Sequence, residues 1–174
     1  NAEHSFGDVR VVNGGSLKSY DGSVEKAVEM RLGRPGATMY IGPGSKLLNG
    51  DVRLGEAGYY NPGAEGAPRD LSFIADGATL AFGYTIFTPT DTRTGGSLRM
   101  AYSANSQSGG IGGATGYAIA LTNCTSTFYG SENIGIVGGD ETKDTPVSNC
   151  TFTVSGGTFD APRQTLYLQG GASN

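Results

Sequence analysis

The chain has 174 residues, 30 of them Gly, with 37 % hydrophobic and 16 % charged residues and no Trp. So much Gly, and so few stretches dense in Ala, Leu, Glu and Lys, argue against a helical bundle or coiled coil, while the length suits one domain, 1–174, with a core of its own. A net charge of −4 without any long Lys/Arg cluster argues against nucleic acid as a partner, and no apolar run reaches the roughly 18 residues of a membrane span. The chain opens at Asn1 without a signal-peptide pattern, so it is expected to be a processed or excised soluble segment.

In chain order, the first element is a short strand, Phe6–Val12, closed by the turn Asn13-Gly14-Gly15 before Ser16-Leu17. Ser23–Leu32 mixes helical spacing with alternation, which predicts a helical turn or loop feeding a strand at Met30-Arg31-Leu32. The same unit, an apolar residue, any residue and a second apolar residue before a Gly turn, returns at Val52-Arg53-Leu54 and at Leu166-Tyr167-Leu168. A second unit places a Gly turn between two apolar residues at Val12–Leu17, Ile41–Leu47, Ile74–Leu80 and Val154–Phe159. Residues 55–69, rich in Gly and Pro around Tyr59 and Tyr60, predict a loop excursion and a candidate ligand loop. Ser106–Gly116 predicts a wide turn.

Short alternating strands and Gly turns repeated every 20–35 residues predict an all-β chain. The expected architecture is a parallel β-solenoid, a right-handed β-helix by the usual hand of parallel crossovers. An antiparallel sandwich or jelly roll is the competing architecture.

Thr122–Gly130 aligns with Ser148–Gly156 on Asn, Cys, two Thr and Gly at a shift of 26 residues, as from Cys124 to Cys150. Were these equivalent positions on neighbouring coils, the Cα atoms of Cys124 and Cys150 would lie about 4.8 Å apart, within disulfide range. The pair is then either a disulfide, pointing to an oxidising exterior, or two stacked reduced thiols. Asn123 and Asn149 become either a stacked Asn ladder or N-glycosylation acceptors, since each begins Asn-Cys-Thr. By the same shift, Thr151 and Thr153 are expected to stack on the outward Thr125 and Thr127.

Enzyme chemistry finds little to use, and no catalytic, cofactor-binding or metal residue is assigned. The only His, His4, sits near the terminus. Asp140, Glu141 and Asp144 flank Lys143 in one loop, a pattern more in keeping with a solvated turn than a calcium site. Gly110–Gly116 lacks the Lys and the spacing of a phosphate loop. No cofactor is expected.

Thr151–Phe159 followed by Leu166–Asn174, together with Met30–Leu47, resembles the repeats of pectin-lyase-like β-helices in bacterial autotransporter passengers and related surface adhesins. The resemblance implies an extracellular or cell-surface, non-enzymatic structural or adhesive protein, with a surface glycan or host receptor as partner. A carbohydrate-binding or carbohydrate-active β-helix is the alternative. Leu166–Asn174 has no charge and no Pro, and Phe6–Gly15 begins with the strand the repeat requires next, so end-to-end self-association into a filament is also expected.

Overall fold

The computed structural model describes residues 4–6, 8–18, 28–32, 36–54, 70–83, 96, 98–100, 114–129, 134–137, 147–162 and 164–169. Val, Ile, Thr, Leu and Phe alternate in runs of three to five residues between left-handed turn residues, which suits short strands and leaves no room for a helical turn. Every regular element among the described residues is accordingly a strand, and every pairing is parallel.

The strands fall into three ladders that the chain visits in a fixed cyclic order. One ladder stacks β2 (Val9–Val11), β5 (Thr38–Ile41), β7 (Ser72–Asp76), β11 (Ala118–Thr122) and β15 (Thr151–Ser155). The second stacks β3 (Ser16–Lys18), the start of β6 (Lys46–Leu54), β8 (Thr79–Phe82), β12 (Thr125–Phe128) and β16 (Thr158–Asp160). The third stacks β1 (His4–Phe6), β4 (Val28–Leu32), the end of β6, β9 (Leu98–Met100), β13 (Ile134–Val137) and β17 (Leu166–Gln169). The nine-residue β6 joins the second and third ladders through a register shift between Leu47 and Gly50. Two short strands, β10 (Ala114–Thr115) and β14 (Val147–Ser148), pair ahead of β11 and β15.

Register keeps like on like. In the first ladder Val9, Met39, Phe73, Ile119 and Phe152 share one row, in steps of 30, 34, 46 and 33 residues. The 46-residue step exceeds the expected spacing. In the third ladder Met30, Val52, Leu98, Ile134 and Leu166 share a row. Because side chains alternate along a strand, these rows point to one side, and Met39, Phe73, Ile119, Met30, Val52, Leu98 and Ile134 are buried together. Aromatic rings add a stack within the core: Phe82 and Phe128 lie 4.5 Å apart and 10° from parallel, and Phe128 meets Phe159 at 5.0 Å.

Two corners set this register, each marked by a row of residues with positive φ. Gly36 (φ 75), Asp70 (φ 56), Gly116 (φ 74) and Asn149 (φ 55) stand at the entry to the first ladder. Gly14 (φ 74), Gly44 (φ 69), Gly77 (φ 56), Asn123 (φ 51) and Gly156 (φ 67) stand between the first ladder and the second. Only Gly, Asn and Asp adopt this conformation readily, and these are the three types found. The corners are hydrogen-bonded rung to rung: Gly44 N donates to Gly77 O at 2.9 Å, Gly77 N to Thr122 O at 2.8 Å and Asn123 N to Ser155 O at 2.7 Å.

The expected helical turn or loop before Met30 resolves in part: β4 covers Val28–Leu32, and 23–27 lie outside the described residues, as does the excursion 55–69; of the expected turn Ser106–Gly116, 106–113 lie outside them and Ala114–Thr115 form the strand β10 rather than turn.

Candidate functional site

The registers of the first and second ladders correct the 26-residue shift. Cys124 precedes Thr125, whose partner is Thr158, so the residue above Cys124 is Gly157; Cys150 precedes Thr151, whose partner is Ala118, so the residue below it is Tyr117. Thr158 N donates to Cys124 O at 2.8 Å and Thr151 N to Tyr117 O at 2.9 Å, which fixes both placements. Between Cys150 and Gly157 runs the whole of β15, five residues at about 3.3 Å each, or roughly 16 Å. That separation is well beyond a disulfide's Cα span of about 4.4–6.8 Å, and both residues are thiols.

The same register separates the two asparagines. Asn123 stands beneath Gly156, its Oδ1 occupying the space that a Cβ at residue 156 would need, while Asn149 follows Gly116 at the other corner. There is no Asn-on-Asn ladder; each Asn fills a left-handed corner that other rungs fill with Gly or Asp. Both are exposed, and the Asn-Cys-Thr sequences remain candidate glycosylation acceptors. The threonine stacking changes likewise: Thr125 lies between Thr79 and Thr158, Thr127 between Ala81 and Asp160, and Thr151 and Thr153 lie over Ala118 and Ala120.

Cys124 is buried, and its Sγ donates to Thr122 O at 3.3 Å. Burial pushes its thiol above the ordinary 9.0, against backbone hydrogen bonds from Ala78 and Thr122 that pull the other way. Burial also raises Cys150, opposed by backbone hydrogen bonds from Tyr117 and Gly116. Neither thiol is activated as a nucleophile at neutral pH. Tyr59 and Tyr60, and the acidic loop with Asp140, Glu141 and Asp144, lie outside the described residues. Among the described residues no three His, Cys, Asp or Glu side chains converge as a metal site would require, and no helix is long and apolar enough to cross a membrane.

Sequence reasoning missed one charged feature. Arg31, Arg53 and Arg99 occupy successive rungs of the third ladder. Arg53 makes a two-pronged pair with Asp51, Nε donating to Oδ1 at 3.2 Å and an Nη to Oδ2 at 3.0 Å, with both side chains largely buried. Asp51 and Arg53 are two residues apart on one strand and therefore share a side, opposite Val52 and Leu54. The available signal was the triplet apolar-Arg-apolar, present at Met30–Leu32, at Val52–Leu54 and again at Leu98–Met100. Such a bidentate pair holds a strand face in place and commits the Asp51 carboxylate to Arg53.

The described geometry thus offers stacked parallel ladders, exposed rows of small polar residues and a fixed ion pair. Comparison with known protein families, with curated proteins and with solved structures finds no match to this chain.

Proposed function

We propose that the chain is a β-solenoid of the right-handed β-helix kind, acting as a non-enzymatic structural or adhesive element at the cell surface or outside the cell. The observation that supports this reading most is the cyclic order of the three ladders: each circuit of the chain adds a strand to every ladder, always in parallel pairing. Such stacking makes a stiff column whose outward faces are free to vary, the property that stalks and adhesive repeats use. The resemblance of Thr151–Phe159 and Leu166–Asn174 to autotransporter-passenger repeats supports the same placement.

Far-ultraviolet circular dichroism of the purified protein tests the column: a β-sheet spectrum supports it, and a mainly helical spectrum contradicts it. Incubation with a panel of polysaccharides tests the non-enzymatic part. Neither new reducing ends nor unsaturated products should form, and turnover abolished by changing one exposed Asp would contradict the reading.

A further inference from the structure

We propose that Asn123 is the acceptor of an N-linked oligosaccharide, carried on the corner between the first and second ladders; this rests on the extracellular part of the reading above. Asn123-Cys124-Thr125 is an Asn-x-Thr triplet, the sequence that oligosaccharide transfer in the secretory route recognises. The triplet alone does not decide which asparagine carries a sugar, because the product must also have room on the folded chain. The fold provides that room at Asn123.

The second ladder's register aligns Gly14, Gly44, Gly77, Asn123 and Gly156 in one row, two residues ahead of Ser16, Lys46, Thr79, Thr125 and Thr158. Among these described residues Asn123 alone bears a side chain, and a glycine lies on either side of it. Its Oδ1 occupies the place that a Cβ at residue 156 would need, so the bare glycine of the next rung makes space for the carboxamide. Rungs stand on both sides of the position: Gly77 N donates to Thr122 O at 2.8 Å, and Asn123 N donates to Ser155 O at 2.7 Å. The exposure of Asn123 therefore does not arise at an end of the ladders. Thr122, Thr125 and Ser155 are exposed around it and offer hydroxyls to a first sugar.

This corner is also short at every rung. Residues 12–15, 42–45, 77–78, 123–124 and 156–157 join the first ladder to the second, whereas long connections such as 55–71 and 101–113 join other strands. Asn149-Cys150-Thr151 differs on both counts. It stands at the corner that the chain reaches after 138–146, and its ladder ends at β15 among the described residues, so no further rung defines the space beside it.

Attachment is a substitution at the sugar. Nδ2 of Asn123 attacks C1 of an oligosaccharide carried on a lipid diphosphate. The N–C1 bond forms, the C1–O bond breaks, the lipid diphosphate leaves with the electron pair, and Nδ2 gives up one proton to the transferring enzyme.

The test is secretion of the 174-residue chain from cultured animal cells behind a cleavable leader, with peptide mass mapping before and after treatment with peptide-N-glycosidase. Asn123→Gly, Thr125→Ala and Thr125→Ser are run alongside. The left-handed corner accepts Gly, and Thr125 is exposed at the start of β12, so these variants are expected to fold. Oligosaccharide mass is expected on the peptide that holds Asn123, and the glycosidase should remove it and convert that side chain to a carboxylic acid. The mass should be lost in Asn123→Gly and in Thr125→Ala and retained in Thr125→Ser. A released chain with a β-sheet spectrum and a bare Asn123 would overturn the acceptor and leave the extracellular reading standing. Sugar that persists at Asn123 in Thr125→Ala would overturn recognition through the triplet. A chain that the cells retain and degrade contradicts the extracellular reading itself, and the acceptor falls with it.

Discussion

Replacing Gly157 by Ala tests how closely neighbouring rungs approach at a corner, and Gly44→Ala is its control. The two glycines have nearly the same backbone, φ 72 and φ 69. An Ala in that region costs roughly 1–2 kcal/mol at either position. Beyond that they differ: a Cβ at Gly44 meets nothing within 4 Å, whereas a Cβ at Gly157 runs into the carbonyl oxygen of Cys124, its N at 2.7 Å and the carbonyl carbon of Asn123 at 2.9 Å. Those atoms are backbone, and the Cys124 carbonyl accepts the 2.8 Å bond from Thr158 N, so relief requires parting two rungs. That adds about 2 kcal/mol, for a total of about 3–4 kcal/mol against 1–2 for the control. At ~2–4 °C per kcal/mol for a chain of this size, thermal unfolding should fall by about 6–16 °C for Gly157→Ala and about 2–8 °C for Gly44→Ala. Because neighbouring rungs of a stacked array can part locally, hydrogen exchange at the Thr158 amide should accelerate as well. Equal losses in the two variants, with Thr158 exchange unchanged, would refute the close approach.

Other consequences follow from the same geometry. Asn123→Gly should leave stability within about 0.5 kcal/mol and Asn123→Ala should lower it by about 1 kcal/mol in chemical denaturation, since the position needs a positive φ. Ser126 is buried between Leu80 and Phe159 with no hydrogen-bond partner for its Oγ, so Ser126→Ala should raise stability by about 1 kcal/mol, measured the same way. Intact mass should be the same with and without reductant, and alkylation of Cys124 in the folded protein should be slow at neutral pH. Because burial raises both thiols, the folded state holds their protons more tightly than the unfolded chain. Their contribution is therefore complete below the ordinary value of 9.0 and is lost as pH rises through the folded values, which a denaturation series across that range would follow.

Much of the architecture is legible in the residues. The match of Met30-Arg31-Leu32 to Val52-Arg53-Leu54 is a true ladder pairing, and the Gly turns at 14, 44, 77 and 156 share one corner. The fifth member of that corner, Asn123, was obscured because Asn does there what Gly does elsewhere. Its Asn-Cys-Thr sequence instead matched Asn149, for a physical reason: both corners call for a left-handed residue two positions before a strand, and Asn-Cys-Thr serves that purpose at each. Gly116 to Asn123 is seven residues, one strand and its corner, and Gly116 to Asn149 is the 33-residue step between rungs, so Asn123 to Asn149 falls short of a full circuit by that seven. Local sequence marks the kind of corner without marking which corner it is. The Arg53–Asp51 pair was hidden for another reason, since a charged residue alternating with Val52 and Leu54 reads as solvent-facing, and its burial depends on packing that alternation does not encode.

Disulfide trapping tests the parallel register most directly. In a chain with Cys124→Ala and Cys150→Ala, one variant carries Thr125→Cys with Thr158→Cys and another carries Thr125→Cys with Thr151→Cys; all three sites are exposed. Thr125 and Thr158 are register partners, so their Cα atoms lie about 4.8 Å apart and mild oxidation should bridge them rapidly and almost completely. The second pair lies across the length of a strand and should remain reduced. A bridge between positions 125 and 151, with none between 125 and 158, would contradict the stacked parallel ladders on which the account rests.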